Sequence, residues 1–145
     1  MPASEVQSVH VTRRLDASPE RAFEAWVNPA LLERWLAPIV EVDARFGGHF
    51  RLEIPKQEEV HVVTGEYREI VPSQRIVMTW VYDGPLGSAE KMEALLRVDI
   101  RRHGPTTEVE LHHDHLTNPV YRDTIKRGAW TRALDELQNV LRPAA

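Results

Sequence analysis

The sequence predicts an α+β fold, a curved antiparallel sheet of about seven strands with a long carboxyl-terminal helix across its concave face. Three observations carry that expectation. Apolar residues recur with a period near two from Pro38 to Leu116. Two proline-headed helices precede that run, and the final stretch switches to a period of three and four.

Val9, Val11 and Leu15 sit at odd positions among His10, Thr12 and Arg14, which reads as a first strand. Ser18-Pro19 and Asn28-Pro29 each place a capping side chain before a proline, the signature of a helix start. They predict short helices over Pro19–Val27 and Pro29–Leu36. Val40, Val42, Ala44 and Phe46 alternate with Glu41, Asp43 and Arg45, so the next strand is expected to run to Phe46 and turn at Gly47-Gly48. Phe50, Leu52 and Ile54 form the return, which stops at Pro55. Strands from Glu59 to Val71 and from Gln74 to Asp83 flank Pro72-Ser73.

A loop from Asp83 to Lys91 leads into the cleanest alternation in the chain, Met92, Ala94, Leu96, Val98 and Ile100. Gly104-Pro105 turns it back through Thr107 to Leu116. From Asn118-Pro119 to Arg142-Pro143 about 24 residues, or roughly 36 Å of helix, carry one apolar face. Ile125, Ala129, Ala133, Leu137 and Val140 define that face, and Gly128 is its weak point because glycine costs a helix interior about 1 kcal/mol relative to alanine.

At 145 residues the chain suits one domain, with a core over about residues 9–141. Eighteen basic against 22 acidic side chains, a net charge of -4, exclude a general nucleic-acid binder. No apolar run is long enough for membrane insertion, and Glu5, Gln7 and His10 stand where a signal peptide would be apolar. The absence of cysteine removes disulfides, thiol nucleophiles and cysteine zinc sites. A cytoplasmic protein without cofactor is expected.

His112-His113-Asp114-His115 is the densest chemical cluster. Strand parity with Val109 and Leu111 turns His113 and His115 inward. Two histidines can ligate a metal, but no third ligand follows at a recognisable spacing, so no metal is assigned. His113 is the better candidate for a polar contact or a proton acceptor, with Tyr67 as a cavity hydroxyl. Trp26, Trp35, Trp80 and Trp130 could form an aromatic wall, although Trp26 and Trp130 read more simply as packing residues. Met78 and Trp80 are expected on the inner face of their strand. No serine lies in a nucleophile elbow, and neither glycine pair opens a phosphate-binding helix.

Ala17-Ser18-Pro19-Glu20 with Trp26 and Asn28-Pro29, then Arg34-Trp35, Pro38 and Gly47-Gly48, form an ordered set. Gly65-Glu66-Tyr67-Arg68-Glu69-Ile70, Arg75-Ile76, Thr79-Trp80 and a terminal Trp130 with Leu134 and Leu137 continue it. In this order the chain resembles the START-like (helix-grip) superfamily, within it the homologues of the activator of heat-shock-protein-90 ATPase. Leu36 departs from the pattern, standing where many relatives carry a second aromatic. So do Gly128-Ala129-Trp130, which separates a usual glycine–tryptophan pair, and His115. All three are expected near a cavity or its mouth.

The resemblance implies a cavity between sheet and helix that binds a hydrophobic or aromatic small molecule or a lipid. Phe50, Leu52, Met92, Ala94, Leu96 and Val98 would line it from the even positions. Trp35, Met78, Trp80, Val109 and Leu111 would complete the walls, Ile125 and Ala129 the helix side, with Tyr67 and His113 orienting a polar group of the guest. A cyclase or hydrolase using His113 as acid or base is the alternative within the same cavity. A co-chaperone role is the third reading, and the chain has no room for the extra chaperone-binding domain of the full co-chaperone. A homodimer through an exposed edge strand stays open.

Overall fold

A helix can start only where its first N–H groups find partners, and three capping residues supply them here. In the computed structural model, which describes residues 8–56, 58–86 and 92–142 except the side chain of Met92, Ser18 Oγ accepts from the Arg21 amide at 3.2 Å. Helix α1 then runs over Pro19–Val27. Asn28 Oδ1 accepts from the Ala30 amide at 2.9 Å and opens α2, Pro29–Trp35. Asn118 caps α3, Pro119–Thr124, through the amides of Val120 and Tyr121.

Seven strands form one antiparallel sheet: β1 (Val9–Leu15), β2 (Ile39–Val42), β3 (His49–Lys56), β4 (Glu59–Val71), β5 (Arg75–Asp83), β6 (Met92–His103) and β7 (Thr106–Asp114). Their order is β1-β7-β6-β5-β4-β3-β2, so β1 and β2 are the free edges. The β4–β5 register slips between Tyr67 and Glu69. Such a bulge adds local twist and helps bend the sheet. The inner face takes Ile76, Met78, Trp80 and Tyr82 from β5, all buried, the side expected for Met78 and Trp80 in a strand that is apolar on both faces.

Two expectations need correction. The strand expected to reach Phe46 stops at Val42. The chain turns at once, with the Arg45 amide bonded to the Asp43 carbonyl and the Gly48 amide to that of Arg45. Alternation therefore continues through a loop that has no sheet face to bury, and Phe46 is 78% exposed. His115 does not point inward either. β7 ends at Asp114, and His115 adopts a left-handed φ of 61° and is exposed.

The carboxyl-terminal helix is one run with a break in it. After α3 the residues Ile125–Ala129 form a π-helical turn with Gly128 at φ 110°, and α4 follows over Trp130–Leu141. Only glycine takes that φ cheaply. Arg13 pairs with Asp135, the Asp16 amide donates to Gln138 Oε1 at 3.0 Å, and Arg21 donates to the Leu141 carbonyl at 3.1 Å. These contacts fix α4 to β1 and α1. No helix among the described residues is long and apolar enough to cross a membrane. The loop expected over Asp83–Lys91 is described only as far as Leu86, and Pro143 lies outside the described residues.

Candidate functional site

Aromatic side chains cluster where the inner faces of β3, β4 and β5 approach α1 and α4. Trp26 meets Trp35 edge-on at 4.7 Å and lies 5.9 Å from Trp130, whose ring is 5.4 Å from Trp80. An indole N–H buried without an acceptor forfeits the hydrogen bond it had in water, so each is accounted for in turn. Trp35 Nε1 donates to the Ala25 carbonyl, Trp80 Nε1 to the Tyr121 hydroxyl and Trp130 Nε1 to His113 Nδ1. Trp26 Nε1 has no partner among the described residues.

Trp26 lines a crevice whose other walls are Leu32, Leu36, Val42, Phe50, Leu52, Tyr67, Met78 and Trp80. Leu36 and Val42 are only half-buried, so the crevice reaches the surface between the end of α2 and β2. Phe50 holds its place there because Gly65 faces it. A Cβ on Gly65 would come within 2.5 Å of the Phe50 ring and 2.0 Å of the Thr79 carbonyl oxygen. In this conformation the space left for water in the crevice is about 10 Å³, roughly what one water needs. Burial, then the nearby Asp43 carboxylate, pushes the Tyr67 phenol above its ordinary range, so it stays protonated and able to donate.

A larger depression, about 650 Å³, lies on the opposite face of the sheet. Its walls carry Glu41, Asp43, Arg51, Glu66, Arg68 and Glu93. Asp43 pairs with Arg45, Arg51 with Glu53 and Arg68 with Glu66. Paired, solvated charges around an open hollow describe an ordinary outer sheet face, so size alone does not select it.

The family comparison falls on this architecture. The model of the family described as Activator of Hsp90 ATPase homolog 1-like protein matches residues 16–142. The chain belongs to that family. Its fold is the START-like helix grip. A protein from Chromobacterium violaceum superposes with a TM-score of 0.83 at 23% identity, covering 95% of this chain and 99% of that one. CalU16 from Micromonospora echinospora gives 0.72 at 26% identity over 94% of this chain and 76% of its own. A Rhodobacter sphaeroides protein gives 0.78 at 22% identity over 97% and 95%. No curated protein matches the chain.

Of the residues this family member's sequence nominates, the structure brings Phe50, Leu52, Tyr67, Met78 and Trp80 to the crevice. The others stand elsewhere. Ala94, Leu96, Val98, Val109 and Leu111 are buried in the core and are not among the crevice walls, and Ile125 is buried with them. Trp35 serves the α1–α2 junction through Ala25. Ala129 is half-buried at the helix break, and the side chain of Met92 lies outside the described residues. Leu36 stands at the crevice mouth, where the departure from the family pattern placed it; sequence reasoning read Trp26 as a packing residue and missed Leu32 and Val42 as lining. Leu32 and Leu36 carry a helical signal, since residues four apart share a face.

His113 is completely buried and is not part of the crevice wall. Trp130 donates to Nδ1 at 3.0 Å, which leaves the imidazole proton on Nε2. That nitrogen has no partner among the described residues. Burial pushes the His113 pKa down to about 3. A base near its task has a pKa close to the working pH, and this one is neutral and weakly basic at pH 7. The arrangement orients Trp130 and does not equip His113 for proton transfer.

Proposed function

We propose that this domain binds a small apolar molecule bearing one hydrogen-bond acceptor, in the crevice between α2 and β2. One observation carries the reading: the Trp26 indole N–H is buried, without a partner among the described residues, and set in a largely apolar wall. A carbonyl, ether or hydroxyl oxygen on a guest would satisfy it at about 2.9–3.0 Å. Leaving such a donor empty forfeits about 1–3 kcal/mol.

The crevice is closed to anything larger than water as it stands, so a guest enters by moving α2 away from β2. Helix α2 is seven residues long, and its Trp35 is bonded to α1. Because α1 is held to α4 through Arg21, the opening is a tilt of the Leu36 end of α2 about the Trp35–Ala25 bond while α1 and the sheet stay fixed. One aromatic ring burying about 150–250 Å² contributes about 4–6 kcal/mol, which places a single-ring guest near 0.05–1 mM (about).

The test uses acetophenone and 2-octanone, with toluene and octane as partners of similar shape that lack the acceptor. Tryptophan fluorescence and thermal shift should show saturable binding, tighter for the ketones. Leu36→Phe fills the mouth of the crevice and should keep the fold while losing the response. Equal binding by Leu36→Phe, or no response of the natural chain to any probe, would reject this reading.

A further inference from the structure

On the outer face of the sheet, away from the crevice, β1 and β7 bring together three groups that are far apart in sequence. The register sets His10 directly opposite His112, and Glu110 shares a face with His112 two residues along β7. The two imidazoles stack at 4.3 Å with an interplanar angle of 11°. His112 Nε2 lies 2.8 Å from Glu110 Oε1, and His10 Nε2 lies 3.5 Å from Glu110 Oε2. All three ligand atoms fall within 4.8 Å of one another.

We propose that His10, Glu110 and His112 form a binding site for one divalent transition-metal ion of the zinc or copper kind. The carboxylate is a hard donor, but the two imidazole nitrogens are borderline ones that suit Zn²⁺ and Cu²⁺ and disfavour Mg²⁺ and Ca²⁺. Ligands at about 2.0–2.2 Å from zinc stand roughly 3–3.5 Å apart. The two histidine–carboxylate spacings already match. His10 is on the edge strand with its side chain 55% exposed, so rotation of its ring closes the remaining distance. Three protein ligands leave a fourth position for water. The spacing of His112-His113-Asp114-His115 offers no third ligand because the third comes from β1, a hundred residues away along the chain (about) and adjacent only through sheet register.

The surroundings supply a competitor. Arg101 Nη2 lies 3.3 Å from Glu110 Oε2 and 3.4 Å from Glu108. Arg97, opposite His112 on β6, is engaged by Asp99 at 2.9 Å. Arg101 thus holds one oxygen of the carboxylate that the metal would take, and removing it should strengthen the site.

The experiment titrates untagged, chelator-treated full chain with ZnCl₂ by calorimetry and by thermal shift, with MgCl₂ as the control ion. One equivalent of Zn²⁺ should bind and raise the melting temperature, and Mg²⁺ should do neither. His10→Ala/His112→Ala, checked for folding by circular dichroism, should weaken zinc binding by about tenfold or more. Arg101→Gln should tighten it, and His49→Ala should leave it unchanged. With Cu²⁺, electron paramagnetic resonance should show two coordinated imidazole nitrogens. Absence of zinc binding by the natural chain, a loss below tenfold in the double variant, or no gain in Arg101→Gln would overturn the site.

Discussion

Where β6 and β7 meet the carboxyl-terminal helix, Leu96, Val98, Val109, Leu111, Leu134 and Leu137 are each at most 1% exposed. Where β3, β4 and β5 meet α1 and α2, the interior opens into a crevice that reaches solvent beside Leu36 and Val42. The two halves of one core are built differently. The first half is aliphatic and close-packed, and it holds α4 with further contacts from Arg13, Asp16 and Arg21. The second half mixes aliphatic side chains with the rings of Trp26, Phe50, Tyr67 and Trp80, and it contains a donor with no partner among the described residues. Close packing characterises one half, and the crevice to which we assign guest binding lies in the other.

Truncation should separate the halves most sharply. Leu134→Ala removes a fully buried side chain from the close-packed half, and about 2–5 kcal/mol of stability should go with it. Leu36→Ala, at the mouth of the crevice, should cost under about 1 kcal/mol. Urea denaturation of both variants measures the difference. Equal losses would mean that the crevice half is packed as tightly as the other.

A smaller effect comes from His113. In the unfolded chain its imidazole takes up a proton near the ordinary value of 6.5, whereas in the fold it does so only at about 3. Between those values the unfolded chain binds more protons, so stability is lost as pH falls through that window. The slope from this group approaches about 1.4 kcal/mol per pH unit. Melts at pH 7 and pH 5 should show the loss, and His113→Phe should flatten it. A His113 resonance that titrates between pH 6 and 7 would contradict the burial argument.

The smallest effect is dynamic and lies along the carboxyl-terminal helix. Helix α3 is held by Tyr121, whose hydroxyl accepts from Trp80, and by Arg122, which donates to the Leu116 carbonyl. The π-helical turn and the Gly128 break separate it from α4. Amides of Tyr121–Lys126 should exchange faster than those of Ala133–Val140 and slow when a guest occupies the crevice, since Trp80 borders both. Uniform protection along both helices would remove the dynamic contrast.

Much of this architecture was legible from local rules. Ser18, Asn28 and Asn118 with their prolines mark three helix starts, and parity places His113 inside, whereas the strand of Met78 and Trp80 is apolar on both faces and its inner side is fixed only by the fold. Gly128 marks the weak point where the final helix breaks. Local rules fail where the deciding partner is distant. Alternation from Val40 to Phe46 looks like a strand, yet the Asp43–Arg45 turn ends pairing at Val42. Inward parity identifies Leu96, Val98 and Leu111 as core, but it cannot tell a packed position from one beside a gap. The crevice depends on how α2 lies over β2, and Trp26 appears in it only after that docking. His10 likewise meets Glu110 and His112 only through the β1–β7 register.

The most direct measurement of the central claim is the set of indole N–H resonances in a nitrogen-15 spectrum, titrated with acetophenone. Four tryptophans give four signals, and three of these indoles already have partners in the fold. The Trp26 signal, identified by Trp26→Phe, should move downfield and saturate as the guest supplies its acceptor, with a smaller change at Trp80. Trp35 should remain in place. A Trp26 signal that stays fixed through the titration, or one that shifts no more than that of Trp35, would contradict binding in this crevice.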